Sequence, residues 1–264
     1  MSFGVEIMKN KFLKIISFAL AGLMCLCFAG CGESEDKPAT SQTSAQIQTT
    51  QPTTQAIEKT EADIKALHTY DLENGDVFAG AWTITEGEGS KLTGFTFMFD
   101  GHGKATLVKD NMGYLGKYTL NADKSTFTTQ LMFGLNGTYT YTFDGDDKVT
   151  LKNSDGGSNS VFERATNVDF IPAPEKDPKI DSKVVGAWQS DGGETYYFGS
   201  DGIMYQNQFG AMFTYANYTA ESGKLTATYI MGEETVDEYE YSVEDDVLTL
   251  SGNEYKKISI NDVE

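Results

Sequence analysis

The chain has 264 residues and a formal net charge of −19, with 39 Asp and Glu against 20 Lys and Arg. Nucleic-acid binding needs a basic face, and docking onto anionic headgroups needs clustered cations, so neither is expected of the folded part. All three cysteines lie at or before Cys31, so the rest of the chain holds no internal disulfide and is held together by ordinary burial.

Lys9, Lys11 and Lys14 precede an apolar run from Ile15 that ends Phe28-Ala29-Gly30-Cys31-Gly32. A basic start, a short apolar stretch and small residues before a cut site predict a secretory signal peptide over residues 1–30. The run is about 14 residues, short of the ~20 a spanning helix needs. Met8 reads as a better start than Met1, because Glu6 is out of place before a basic region. Cys31 after Ala29-Gly30 resembles the lipobox of bacterial lipoproteins, although Phe28 stands where leucine is usual. That resemblance implies a diacylated Cys31 as the mature N-terminus, a lipid anchor in the cell membrane, and a chain facing outside the cytoplasm. Cys25 and Cys27 do not follow a small pair.

Residues 31–56 are rich in Ser, Thr and Gln, carry Pro38 and Pro52, and have almost no apolar side chains. Such a stretch cannot bury enough surface to fold and reads as a disordered tether; about 25 residues reach roughly 25–30 Å. Residues 57–79 form a pre-domain segment. A short helix is expected there, because Thr60-x-x-Asp63 resembles a capping box and Ile57, Ile64 and Leu67 share a face.

From Gly80 the chain repeats. Gly80-Ala81-Trp82 recurs as Gly186-Ala187-Trp188, and Phe97-Met98-Phe99 as Tyr196-Tyr197-Phe198. Tyr139–Phe143 recurs as Tyr239–Val243, Asp147–Leu151 as Asp246–Leu250, and Val161–Arg164 as Glu254–Lys257. Order is kept while loop length varies, as two copies of one fold require. Pro172, Pro174 and Pro178 fall between the copies, and neither copy contains a proline, consistent with sheet interiors. The domains are therefore set at residues 80–165 and 186–264, with a Pro-containing linker over 166–185. Inside each copy the apolar period is two, and Asp-Gly breaks mark hairpins. About eight strands per copy make an antiparallel meander, which avoids bare edges by closing into a barrel.

A Gly-x-Trp opening the first strand of such a barrel is similar to the lipocalin motif, in which a cation from the last strand packs over the tryptophan. The one arginine of the chain, Arg164, falls on the last strand of the first copy, and Lys257 on that of the second. The resemblance implies structural pairs Trp82–Arg164 and Trp188–Lys257. It places the fold as all-β, two tandem small up-and-down lipocalin-like barrels, similar to lipocalin-like bacterial lipoproteins. At this size a barrel is just wide enough for its own side chains or one small ligand, and the many inward Phe and Tyr predict a filled interior.

Signals for catalysis are weak. His68 lies before the first repeat and His102 in a hairpin turn; both read as solvated and unconnected. No zinc-protease, nucleophile-elbow or phosphate-loop motif occurs. No catalytic activity, cofactor or metal is expected. Acids crowd the second copy, with fifteen against three basic residues, whereas the first has ten against eight. Glu233, Glu234, Asp237, Glu238 and Glu240 would be scattered over two strand faces, which suits a solvated rim better than a calcium site. Tyr205-Gln206-Asn207-Gln208-Phe209 mixes aromatics with amides and is the most attractive contact loop for a partner. The functional expectation is a membrane-anchored extracytoplasmic binding or protein-interaction module. The alternatives are a carrier of a small hydrophobic or glycan ligand in a barrel mouth, and an envelope structural or stress component.

Overall fold

A computed structural model describes residues 58–87, 93–131, 135–156 and 159–264, all within the compact unit Gln55–Glu264. The signal segment, Cys31 and the tether lie outside the described residues. Among those described, no helix is long and apolar enough to cross a membrane.

Alternating side chains and glycine-rich turns give the first copy eight strands: β1 (Gly80–Gly87), β2 (Thr96–Phe99), β3 (Lys104–Lys109), β4 (Met112–Asn121), β5 (Thr126–Gln130), β6 (Gly137–Phe143), β7 (Lys148–Asn153) and β8 (Asn159–Arg164). Each pairs antiparallel with the next, and β8 returns to β1, so the ring closes. The second copy repeats this plan with β9 (Gly186–Gln189), β10 (Glu194–Phe198), β11 (Ile203–Gln208), β12 (Met212–Glu221), β13 (Lys224–Tyr229), β14 (Thr235–Glu244), β15 (Val247–Leu250) and β16 (Asn253–Ile258), closed by β16 on β9. Register is shared as well. Trp82 faces Phe97 on one side and Arg164 on the other, and Trp188 faces Tyr196 and Lys257. Inward residues fill each ring, among them Phe97, Phe99, Phe127, Leu151 and Phe162 in the first and Tyr196, Phe198, Tyr218, Leu225 and Leu248 in the second.

The two rings are joined edge to edge. The first residues of β4 and β12 pair antiparallel, Gly113 opposite Phe213 and Tyr114 opposite Met212. Equivalent residues of two copies facing each other across an antiparallel seam mark a local twofold relation. It is broken at its centre. A Cβ on Gly113 would lie 2.6 Å from the Phe213 ring, so glycine on one copy makes room for phenylalanine on the other.

The domain limits expected from sequence are too narrow. Phe78, two residues before the first limit, is fully buried in the first barrel and stacks on Phe127 at 4.5 Å. Val184, in the expected linker, is equally buried in the second. Both carbonyls accept a 2.7 Å hydrogen bond from a tryptophan Nε1, Trp82 to Phe78 and Trp188 to Val184. Each barrel thus has an end plug four residues ahead of its tryptophan. Irregular backbone carries these plugs, so no period-two pattern announced them.

The flanking segments are not spacers either. A helix, α1 (Glu61–Ala66), starts at a capping box between Thr60 and Asp63, and its Ile64 is buried. Linker residue Ile180 bridges to Ala220, with Ala220 N donating to Lys179 O at 2.8 Å. Together α1, the linker and the outer faces of both barrels form a third apolar core that includes Ile64, Met98, Phe170, Tyr205, Phe213 and Val263. The copies share this core, and it covers strand faces that would otherwise be wet.

Candidate functional site

The segment after α1 runs as a strap over the outer face of the β4–β12 seam. Two of its side chains, two residues apart, dock on equivalent places of the two copies. Tyr70 hydrogen-bonds Thr106 on β3. His68 lies 3.1 Å from the Tyr205 hydroxyl on β11 and stacks on Phe213 with ring centroids 3.6 Å apart. Thr106 and Tyr205 correspond by register, each sitting one pair beyond the partner of the second inward aromatic.

The Tyr205 hydroxyl fixes the tautomer of His68. Its proton goes to the Glu264 main-chain oxygen at 2.6 Å. It therefore accepts from Asn207 Nδ2 at 3.1 Å and from His68. His68 then carries a proton on Nε2. Burial, reinforced by the Lys104 charge, lowers its pKa to about 3. Burial also raises Tyr205 and Tyr70 to about 12. Neither tyrosine nor His68 is tuned for proton transfer near neutrality.

These findings correct two expectations. His68 is buried rather than solvated, and it shares a groove with His102. The contact loop expected at Tyr205–Phe209 is the end of strand β11. Tyr205, Gln206 and Asn207 are buried, because alternate side chains enter either the barrel or the third core. Gln206 faces inward and donates to Tyr196 Oη and Glu194 Oε1 at 2.8 and 2.7 Å. Gln208 is partly buried. Phe209 alone of the five is exposed, at 67%. It holds φ of +59°, a left-handed backbone that costs a bulky side chain on the order of 1–2 kcal/mol. An exposed aromatic held in a strained turn is a lead to function rather than to folding.

The groove under the strap has a volume of about 570 Å³. Its walls are the strap at His68–Asp71, the β2–β3 turn with Asp100 and His102, the β3–β4 face with Lys104, Leu115 and Lys117, and the turn residues Gly210 and Ala211. Leu115 N donates to Ala211 O at 2.8 Å, tying the Phe209 turn to the groove floor. Its two acids are committed locally. Asp100 Oδ1 accepts from the main-chain N of His102 and Lys104 at 2.7 and 2.8 Å, and Asp71 Oδ1 from Glu73 N at 3.0 Å. The cations are not committed. Lys104 and Lys117 are exposed and face each other across the β3–β4 register, and neither makes an ion pair among the described residues. Like charges directly opposite in a sheet are destabilising.

The tryptophan–cation pairs lie at the plugged ends. Arg164 Cζ is 4.4 Å from the Trp82 ring centroid, and Lys257 Nζ is 5.4 Å from that of Trp188. Arg164 also donates to the carbonyls of Asp146, Ala79 and Val77 at 2.8, 2.9 and 3.2 Å. These guanidinium bonds tie the last strand to the β6–β7 turn and to the backbone on either side of the plug. In the acidic stretch, Glu238 pairs with Lys224 at 2.6 Å. Among the described residues, no three His, Cys, Asp or Glu side chains converge as metal ligands.

Residues 186–204 match a family described as a cell wall binding repeat. The matched stretch is β9, β10, the turns between them and the first residues of β11. Its aromatics Trp188, Tyr196, Tyr197 and Phe198 are all buried, so the likeness lies in a hairpin pattern whose rings are spent on packing. No curated protein matches the chain.

Proposed function

We propose that this chain is an extracytoplasmic, membrane-tethered binding module that engages a cell-wall component in the groove beneath the strap. The observation that carries the reading is the groove itself, about 570 Å³ and walled by the strap, the first barrel and a turn of the second. A cleft of that size at a junction of structural units, mixing apolar floor with a few polar groups, is the usual form of a ligand site. The match to a cell wall binding repeat and the lipobox-like sequence before Cys31 both favour the envelope as the place of action. Packing of Phe, Tyr and Leu along both barrel interiors favours an outside groove over the carrier alternative. His68, Tyr70 and Tyr205, with pKa values far from neutrality, suit recognition better than acid–base chemistry.

Two measurements test this. Cys31→Ser should move the protein from the membrane fraction to the soluble one; unchanged acylation and fractionation would remove the anchor. The protein lacking residues 1–31 should co-sediment with isolated cell-wall fragments, and failure to do so would remove the wall as its target.

A further inference from the structure

We infer that Lys104 and Lys117 form an oxyanion site in the groove, and that Phe209 beside it offers a ring-stacking surface, so that the ligand is an acidic sugar. This deepens the proposed wall-binding role and rests on it for the place of action, though not for the chemistry.

Three observations converge on this site. Two exposed ammonium groups stand on facing strands with no carboxylate paired to either, in a chain of 39 acids and 20 bases. Acids were plentiful, yet the two that line the groove, Asp71 and Asp100, each direct Oδ1 to main-chain N–H groups and form no ion pair with either lysine. An anion between the lysines would relieve their mutual repulsion. The second observation comes from the other copy. By register, the positions equivalent to Lys104 and Lys117 are Ile203 and Asn217, and Ile203 is buried in the third core. The same fold therefore builds this face without cations, so the lysines are not needed by the architecture. The third observation is Phe209. It is exposed on a left-handed backbone, and its turn is bonded through Ala211 to Leu115. Leu115 precedes Lys117 by two residues on the same strand face. Phe209 does not itself line the groove, but the next two residues of its turn, Gly210 and Ala211, do, so its exposed ring sits one residue outside the wall that also carries the cations. Aromatic faces pack against the C–H face of a pyranose, while ammonium groups hold its appended carboxylate or phosphate as point charges.

The test uses calorimetric titration of the protein lacking residues 1–31 with glucose 1-phosphate, glucuronate, uncharged methyl glucoside and inorganic phosphate. Either charged sugar should bind at least tenfold more tightly than methyl glucoside, and the better of the two identifies the anion as phosphate or carboxylate. Affinity should fall as salt rises. Lys104→Gln with Lys117→Gln should reduce charged-sugar affinity at least tenfold, with an unchanged circular dichroism spectrum. Phe209→Ser should abolish the preference for glucose 1-phosphate over inorganic phosphate and leave phosphate binding intact. Equal affinity of wild type and the double lysine variant for both charged sugars would overturn the oxyanion site; an unchanged preference in Phe209→Ser would overturn the stacking surface. Wall co-sedimentation separates the two levels of the argument. Wild type that sediments, with a lysine variant that sediments equally, refutes the oxyanion site and leaves the wall-binding role standing. Wild type that fails to sediment but loses charged-sugar affinity in the lysine variant refutes the wall and keeps the site.

Discussion

At four equivalent positions inside the two barrels, the first holds Phe95, Phe97, Leu107 and Phe162, and the second holds Glu194, Tyr196, Gln206 and Tyr255. In the first barrel Phe97 and Phe162 meet at 5.5 Å, ring on ring. In the second, Tyr196 and Tyr255 meet at 5.2 Å, and their hydroxyls enter a network with Gln206 and Glu194. Outside the barrels the polarity is reversed, with Lys104 and Lys117 on the first and Ile203 and Asn217 on the second. At these positions one backbone plan carries apolar side chains inside with lysines outside, and a hydrogen-bonded set inside with Ile203 and Asn217 outside. Strand pairing and the plugged tryptophan end define the fold, while the composition of either face is free to diverge; Asn217, whose buried Oδ1 has no hydrogen-bond partner among the described residues, shows that the exchange is not free of cost.

The largest expected difference lies at the plugs. Phe78→Ala should cost about 3–5 kcal/mol, against about 1.5–2 kcal/mol for Val184→Ala, which removes two methylene equivalents. Urea unfolding measures both, and equal losses would show that the two plugs are not equivalent parts. Next come the interior swaps. Tyr255→Phe strips Glu194 Oε2 of its 2.7 Å donor and should cost about 1.5–3 kcal/mol. Phe162→Tyr in the first barrel should destabilise by a comparable ~1–3 kcal/mol, because its apolar neighbours offer the new hydroxyl no partner. If both substitutions prove neutral, the contrast between wet and dry interiors has no energetic meaning.

The strap supplies a third contrast, between its docking on the two copies, and pH separates them. An unfolded chain protonates His68 near 6.5, whereas the folded one resists until about 3. Stability from this group is complete above pH 6.5 and declines as pH falls toward 3. The decline should be about 2 kcal/mol between pH 6.5 and 4.5. His68→Phe keeps a ring on Phe213 and should flatten that part of the stability–pH curve; an unchanged curve would mean the imidazole is not buried neutral. The smallest contrast is at the tryptophans. Arg164→Ala should cost about 1 kcal/mol through its cation–π contact and carbonyl bonds. Lys257→Ala, a more distant point charge beside exposed Asp246, should cost about 0.5 kcal/mol or less. Thermal melts of single variants rank the two.

Both rings and their shared register were legible in the sequence, because period-two alternation, Asp-Gly turns and the repeated Gly-Ala-Trp are local signals. The pairing of Trp82 with Arg164 was implied only by the resemblance to the lipocalin motif; in the fold the two are cross-strand neighbours. The groove was not legible. His68 carries no motif, and its burial depends on Phe213 and Tyr205, more than a hundred residues away. The apolar spacing of Ile64, Leu67, Tyr70, Leu72 and Phe78 was the available hint that residues 57–79 pack rather than span. Tyr205–Phe209 was misread as a loop because amide-rich sequence resembles a turn, while Gln206 and Asn207 are buried with partners on Glu194, Tyr196 and Glu264.

At the start of the described chain, Lys59 donates from its main-chain N to Asn261 Oδ1 at 2.6 Å and from its Nζ to Val263 O, while Lys65 pairs with Asp201. Any pull arriving through the residues before Glu58 therefore meets a clasp that grips the second barrel's last turn before it meets a sheet. Tension would be shared among short side-chain links and the buried Ile64, and a failure there would peel the strap away first. Both closed rings would remain intact behind it, so the contacts of Lys59 and α1 would yield before either sheet.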